Sequence, residues 1–137
     1  MGDVITGDGW AVGSLEAMGD GPGFRKIRRQ LGVTAFGINA IVLPPGYGGP
    51  MHSHEEQEET YFVHEGEVLF EFGDGAEHVL GPGGVARVDA ATVRGMRNVG
   101  QGDAVVVAAG GKDGYVGRDG RPAPGVTSRV RGPDSPS

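Results

Sequence analysis

The sequence predicts a single turn-rich, all-β domain, and three observations predict it. Short apolar runs recur along the chain, among them Ile41-Val42-Leu43, Val68-Leu69-Phe70 and Val105-Val106-Val107. Between them are scattered 28 Gly and 9 Pro in 137 residues, with no fixed period of the kind that marks collagen or a solenoid. Within the runs apolar and polar residues alternate, Val68, Phe70 and Phe72 against Glu67, Leu69 and Glu71, which is the period of a strand with one buried face. A chain of this length buries roughly 68% of the surface its unfolded form exposes, enough for one core and not for two full domains.

The elements follow in order. Residues 1–22 are rich in Gly and Asp and read as an extended N-terminal arm, with Trp10, Val12 and Leu15 as the side chains able to dock it. Phe24, Ile27 and Leu31 fall at i, i+3 and i+7 with basic residues between them, which predicts a short amphipathic helix ended by Gly32. Strands are expected over about 33–43, 60–65, 67–72, 77–80, 85–88, 93–98 and 103–109. Turn chemistry separates them: Pro44-Pro45-Gly46, Gly73-Asp74-Gly75, Gly81-Pro82-Gly83-Gly84 and Gly100-Gln101-Gly102. Such strands with such spacing mean a sandwich or barrel over residues 23–109. Residues 110–137 hold seven Gly and four Pro and too few apolar groups for a core, so they read as a surface strap followed by a mobile tail from about Arg118.

Composition excludes several chemistries. With no cysteine, there is no disulfide scaffold, Cys-ligated zinc, iron–sulfur cluster or thiol nucleophile. The longest apolar stretch, Ala104 to Ala109, is far short of the roughly 20 residues of a membrane helix. A soluble, cytoplasmic protein with no membrane partner is the expectation. The net charge is −6, and residues 51–80 carry nine Asp or Glu and no Lys or Arg, a surface that repels phosphate backbones. The Arg clusters at Arg25 to Arg29 and Arg87 to Arg97 carry no nucleic-acid motif, so no nucleic-acid partner is expected. No nucleophile elbow, phosphate loop or dinucleotide fingerprint is present.

The most informative triplet is His52-Ser53-His54. On a strand, residues i and i+2 point to one side and present two imidazoles to one place. Glu59 follows after Glu55-Glu56-Gln57-Glu58, a stretch suited to a turn that brings the chain back. Two His and one carboxylate form a ligand set for Fe, Mn, Ni or Zn; a solvated acidic loop with incidental histidines is the alternative. If Glu59 faces inward, so do Tyr61 and Val63, while Phe62 and His64 face away. His64 and His78 then read as surface residues. Arg94 and Met96 share a face opposite Val93, Gly95 and Arg97.

Taken together, Gly46, five residues, His52-x-His54, four residues, Glu59, six residues, Gly66 resembles the first motif of the cupin superfamily. Gly83, five residues, Asp89-x-Ala91, two residues, Arg94, three residues, Asn98 resembles its second motif in spacing. There the family usually has Pro at Asp89, Gly at Ala91 and His at Arg94. The resemblance implies a single antiparallel jelly-roll β-barrel with His52, His54 and Glu59 inside as metal ligands. The fourth ligand is missing, because a guanidinium stays protonated and has no lone pair to offer. Two states of the site stay open: a partly occupied three-ligand metal site, and a pocket that holds no tight metal.

Three functions follow as expectations. The first is a barrel that binds a small polar or anionic molecule, with Arg94, Tyr61 and Met96 as ligand-binding residues beside an incomplete metal site. The second is a metal-dependent enzyme of dioxygenase or isomerase type using His52, His54 and Glu59. The third is an interaction barrel with a vestigial site. Phe62 and Leu69, placed away from the interior, predict a homodimer.

Overall fold

Two five-stranded antiparallel sheets face each other across the core in a computed structural model, which describes residues 4–123. The strands are β1 (Ile5–Gly7), β2 (Trp10–Val12), β3 (Gly23–Arg25), β4 (Gly37–Leu43), β5 (His52–His54), β6 (Glu58–Glu65), β7 (Val68–Phe72), β8 (Glu77–Leu80), β9 (Val85–Val88), β10 (Arg94–Asn98), β11 (Ala104–Gly111) and β12 (Gly120–Pro122). One sheet has the order β3-β4-β11-β6-β9 and the other β12-β5-β10-β7-β8. The all-β jelly-roll architecture is therefore present as a sandwich. Among the described residues no named strand pairs from one sheet to the other, so the barrel is two packed sheets and not a closed hydrogen-bonded cylinder.

The inward faces are those that alternation predicts. Ile41, Leu43, Tyr61, Val63, Val88, Ala104 and Val106 from the first sheet meet Val68, Phe70 and Met96 from the second. Phe62, His64 and Arg97 are exposed. Gly66 carries the chain from β6 in one sheet to β7 in the other. Its φ of +88° favours glycine, and a Cβ there would lie 2.7 Å from Ala104 Cα, closer than packing allows. At the far end of β10 the buried Asn98 side chain donates to Leu43 O (2.7 Å) and Gly102 O (2.8 Å) and accepts from Gly100 N (2.8 Å), which ties the end of β4 to the turn before β11.

Several sequence expectations are corrected. The N-terminal arm is not simply extended: β1 and β2 form a hairpin, and a 3-10 turn over Leu15–Met18 follows, with Ser14 accepting from Glu16 N. Trp10 and Val12 do not dock it, since Trp10 lies across Gly7 within the hairpin and both side chains are exposed. The helix, α1 (Ile27–Leu31), ends at Gly32 in the left-handed conformation as expected, but Phe24 is not on it. Phe24 sits on β3 opposite Ile41, because the open edge of β4 supplies backbone partners that outweigh a three-residue apolar pattern. The strand expected from residue 33 starts at Gly37. In the strap, Gly120–Pro122 forms an edge strand against β5, a position where Pro needs no ladder N–H. The rest of the expected tail, 124–137, lies outside the described residues.

Candidate metal centre

The site is assembled by three strands from both sheets. β5 presents His52 and His54 on one face, β6 brings Glu59 from the opposite sheet, and β10 sets Arg94 directly across from His52 in register. One ligand atom from each of His52, His54 and Glu59 lies within 4.8 Å of the others. The acidic turn between the histidines and Glu59 thus returns the chain as its composition suggested.

Both histidines are fixed through Nδ1. His52 Nδ1 is 2.9 Å from Pro50 O, and His54 Nδ1 is 2.9 Å from Asp119 Oδ1. A bond at Nδ1 leaves the Nε2 lone pair as the outward donor atom, the usual way a protein sets a ligating imidazole. His54 Nε2 is the one buried side-chain polar atom without a hydrogen-bond partner among the described residues. It lies 3.1 Å from Glu59 Oε1, off the alignment of a hydrogen bond.

Asp119 is a site residue that sequence reasoning missed. It is buried just before β12, and its Oδ2 accepts from Glu56 N and Gln57 N, each at 2.9 Å. Burial opposes its charge, but these N–H groups, the Gln57 amide and His54 outweigh burial and hold its carboxyl well below the usual carboxylate range. The only sequence signal was an Asp in a Gly-rich strap, 65 residues from His54.

Arg94 is 1% exposed and fully engaged by protein. Nε donates to Tyr61 OH (3.2 Å), Nη1 to the carbonyls of Asp89, Ala90 and Thr92 (3.1, 3.2 and 2.6 Å), and Nη2 to Glu59 Oε1 (3.1 Å). Arg94, expected among the ligand-binding residues, thus holds Glu59 and closes the 89–92 turn. The Tyr61 hydroxyl also donates to Glu59 Oε1. Burial would raise the Glu59 pKa, but His54, Tyr61 and Arg94 together lower it to about 2. Burial and the neighbouring Glu59 carboxylate push the Tyr61 phenol up, so its hydroxyl stays a donor. Burial lowers His52, whereas at His54 the Glu59 and Asp119 carboxylates outweigh burial and raise the pKa above 6.5.

The three candidate ligands and two of the expected ligand-binding residues, Tyr61 and Met96, line a cavity of about 250 Å³. Ile38, Ile41 and Ala108 form its apolar wall, and Gln57, Tyr115 and Arg118 complete it. Arg94 lines only a small void behind, beside Gly49, Pro50 and Phe70. His64 and His78 are exposed on β6 and β8, away from the site. The donor set fits a divalent ion: two fixed imidazoles and a carboxylate, with Nε2 of His54 buried and without a hydrogen-bond partner among the described residues.

Comparison with known proteins agrees with the fold. Residues 40–110 match the family described as Cupin domain, more than half of the chain. A Klebsiella pneumoniae protein with a double-stranded β-helix domain superposes with a TM-score of 0.59 at 21% identity, over 65% of this chain and 75% of its own. A DMSP lyase from Ruegeria pomeroyi gives 0.57 at 20% identity, over 65% of this chain and 43% of the lyase. A predicted oxalate decarboxylase from Thermotoga maritima gives 0.51 at 27% identity, over 54% and 64% respectively. No curated protein matches the chain.

Proposed function

Because this chain belongs to the cupin family, we propose that it binds a small polar or anionic molecule in the cavity between its sheets, beside a divalent-metal site formed by His52, His54 and Glu59. The observation that carries this reading is the bare, buried Nε2 of His54, fixed from behind by Asp119 and set 3.1 Å from Glu59. Fe, Mn, Ni or Zn suits the ligand set. Arg94, a fixed cation where the family's fourth ligand stands, keeps occupancy partial. When bound, such an ion supplies Lewis acidity toward a carbonyl or carboxylate oxygen.

The chain's own residues do the rest. Asp119 sets the tautomer of His54, and Arg94 with Tyr61 fixes the Glu59 carboxylate. Ile38, Ile41 and Ala108 keep one wall dry, so polar groups brought into the cavity interact more strongly than in water. A second reading, a metal-dependent enzyme of dioxygenase or isomerase type, is favoured by one observation: three protein ligands leave open positions toward a cavity sized for a small substrate. Homodimerisation belongs to the same proposal: of the two residues expected to carry it, Phe62 is exposed, beside Val85, whereas Leu69 is half-buried on the other sheet. So does a soluble, cytoplasmic protein without a nucleic-acid partner; among the described residues no helix is long and apolar enough to cross a membrane.

Elemental analysis of protein purified without an affinity-tag metal or a chelator tests the reading. Sub-stoichiometric Fe, Mn, Ni or Zn that rises toward one per chain on metal supply is the expected result. Failure to take up any of the four overturns the metal half of the proposal. A full, tightly held equivalent moves the balance to the enzyme.

A further inference from the structure

Adjoining the site cavity is a second concavity of about 300 Å³, lined by four cations, Lys26, Arg28, Arg29 and Arg118, and by no carboxylate. The two hollows share a wall: Gly37, Ile38, Asn39, Tyr115 and Arg118 line both. This is a strong local excess of positive charge on a chain whose net charge is −6. Among the described residues the Arg and Lys side chains in ion pairs are Arg87, Arg94, Arg97 and Arg121; none of the four in the concavity has a carboxylate partner there.

The fold holds these groups in place. Lys26, Arg28 and Arg29 come from α1 and the residue before it, in a segment with no acidic residue in its first turn. Arg28 is set over the ring of Tyr115, its Cζ 3.8 Å from the ring centroid, which restrains the guanidinium before any ligand arrives. Arg118 occupies left-handed backbone, φ 56°, uncommon for a residue with a side chain. That turn places Arg118 at the mouth of the cavity and the next residue, Asp119, on His54. Four like charges gathered in one hollow repel one another, and an anion relieves the repulsion.

We infer that this cationic vestibule binds the phosphate or carboxylate group of a small organic anion whose other end reaches His52, His54 and Glu59. The inference rests on the proposed binding function and deepens it by naming the ligand class. Arg guanidinium suits both groups through paired N–H donors. The shared wall lets one elongated molecule span both hollows.

Full-length protein stripped on a chelating resin allows the test without metal. Pyrophosphate and malonate serve as probes for the two headgroups, by calorimetry and by amide NMR shifts. One site per chain is expected, with shifts at residues 26–29 and 115–118, and the tighter probe identifies the headgroup. Arg28→Gln with Arg118→Gln should weaken binding at least about tenfold. The control pair Arg87→Gln with Arg97→Gln removes the same charge from residues that line neither hollow and should change it less than about twofold. Arg29→Gln, at an exposed position, is the second variant and should weaken binding about threefold. Unchanged affinity in the Arg28 and Arg118 pair or in Arg29→Gln, or an equal loss in the control pair, overturns the inference. Displacement of pyrophosphate by a far lower concentration of single-stranded oligonucleotide replaces the small anion with a nucleic acid and overturns it too. Protein that binds pyrophosphate here yet never takes up metal leaves the vestibule standing and sinks the metal reading alone.

Discussion

Arg94 shows how one side chain decides the character of the site. It stands opposite His52 in the β10–β5 register, where the spacing of the second motif placed it, and its guanidinium reaches Glu59. Arg94→His removes a cation from beside the ligands and adds an imidazole. Calorimetric titration with Ni or Zn should show affinity at least about tenfold higher than the parent, about 1.4 kcal/mol. The metal-free variant should be less stable by about 3–5 kcal/mol, since Glu59 loses its buried partner. Equal affinities would mean that Arg94 does not face the histidines. Asp119 acts at one remove, through His54 Nδ1. Asp119→Asn should therefore lower metal affinity about 10–100-fold, and unchanged affinity would show that the tautomer is set otherwise. Glu59 supplies a test in pH. Its pKa is about 2 in the folded chain against 4.5 unfolded, so the unfolded state binds more protons between those values. Its stabilisation is complete above pH 4.5 and is lost as pH falls toward 2. Urea midpoints of metal-free parent should drop across that window, and those of Glu59→Gln should be flatter there; parallel curves would contradict the assignment. The histidines and Glu59 were legible because period two and a short polar turn bring them together locally. Asp119 was not, since nothing local links a strap residue to a histidine 65 positions away.

At the scale of elements, alternation was the reliable signal. β6 exposes and buries the residues that period two assigns, because a one-residue slip would turn a whole face to solvent; in β7 and β10 Val68, Phe70, Arg94 and Met96 are buried as assigned, whereas Gly95, assigned outward, is buried beside Met51. Segments without alternation were misread. β3 and β12 are three-residue edge strands, formed where an open edge supplies partners, and nothing in Gly23–Arg25 or Gly120–Pro122 announces a strand. β11 carries a less visible requirement. Gly110 pairs with Glu59, and a Cβ there would stand 2.5 Å from Gln57 Oε1 and 3.0 Å from both Glu58 O and Glu59 Cγ. Gly110→Ala should cost about 1–3 kcal/mol through overpacking and weaken metal binding by shifting Glu59. Thermal unfolding and titration of the variant check both effects; full stability with parental affinity would mean that the ladder yields without moving the ligand.

For the whole molecule, the sandwich places an interior site between two sheets and leaves apolar side chains on an outer face. Phe62 and Val85 lie side by side there, 42% and 64% exposed. A dimer through this face predicts a light-scattering mass twice 14.1 kDa at micromolar concentration, and the single-chain mass would reject it. The jelly-roll and its first motif were legible in the sequence, whereas the cationic vestibule was not. Its four cations come from two segments about 90 residues apart, which meet only when the strap packs beside α1. The central claim is that His52, His54 and Glu59 act together on one divalent ion. Titration of Ni or Zn into metal-stripped parent, His52→Ala and His54→Ala in one buffer tests it most directly. The account predicts one ion per parent chain and at least about tenfold weaker binding in each variant. Parent and variants that bind alike, or a parent that binds no ion, would contradict it.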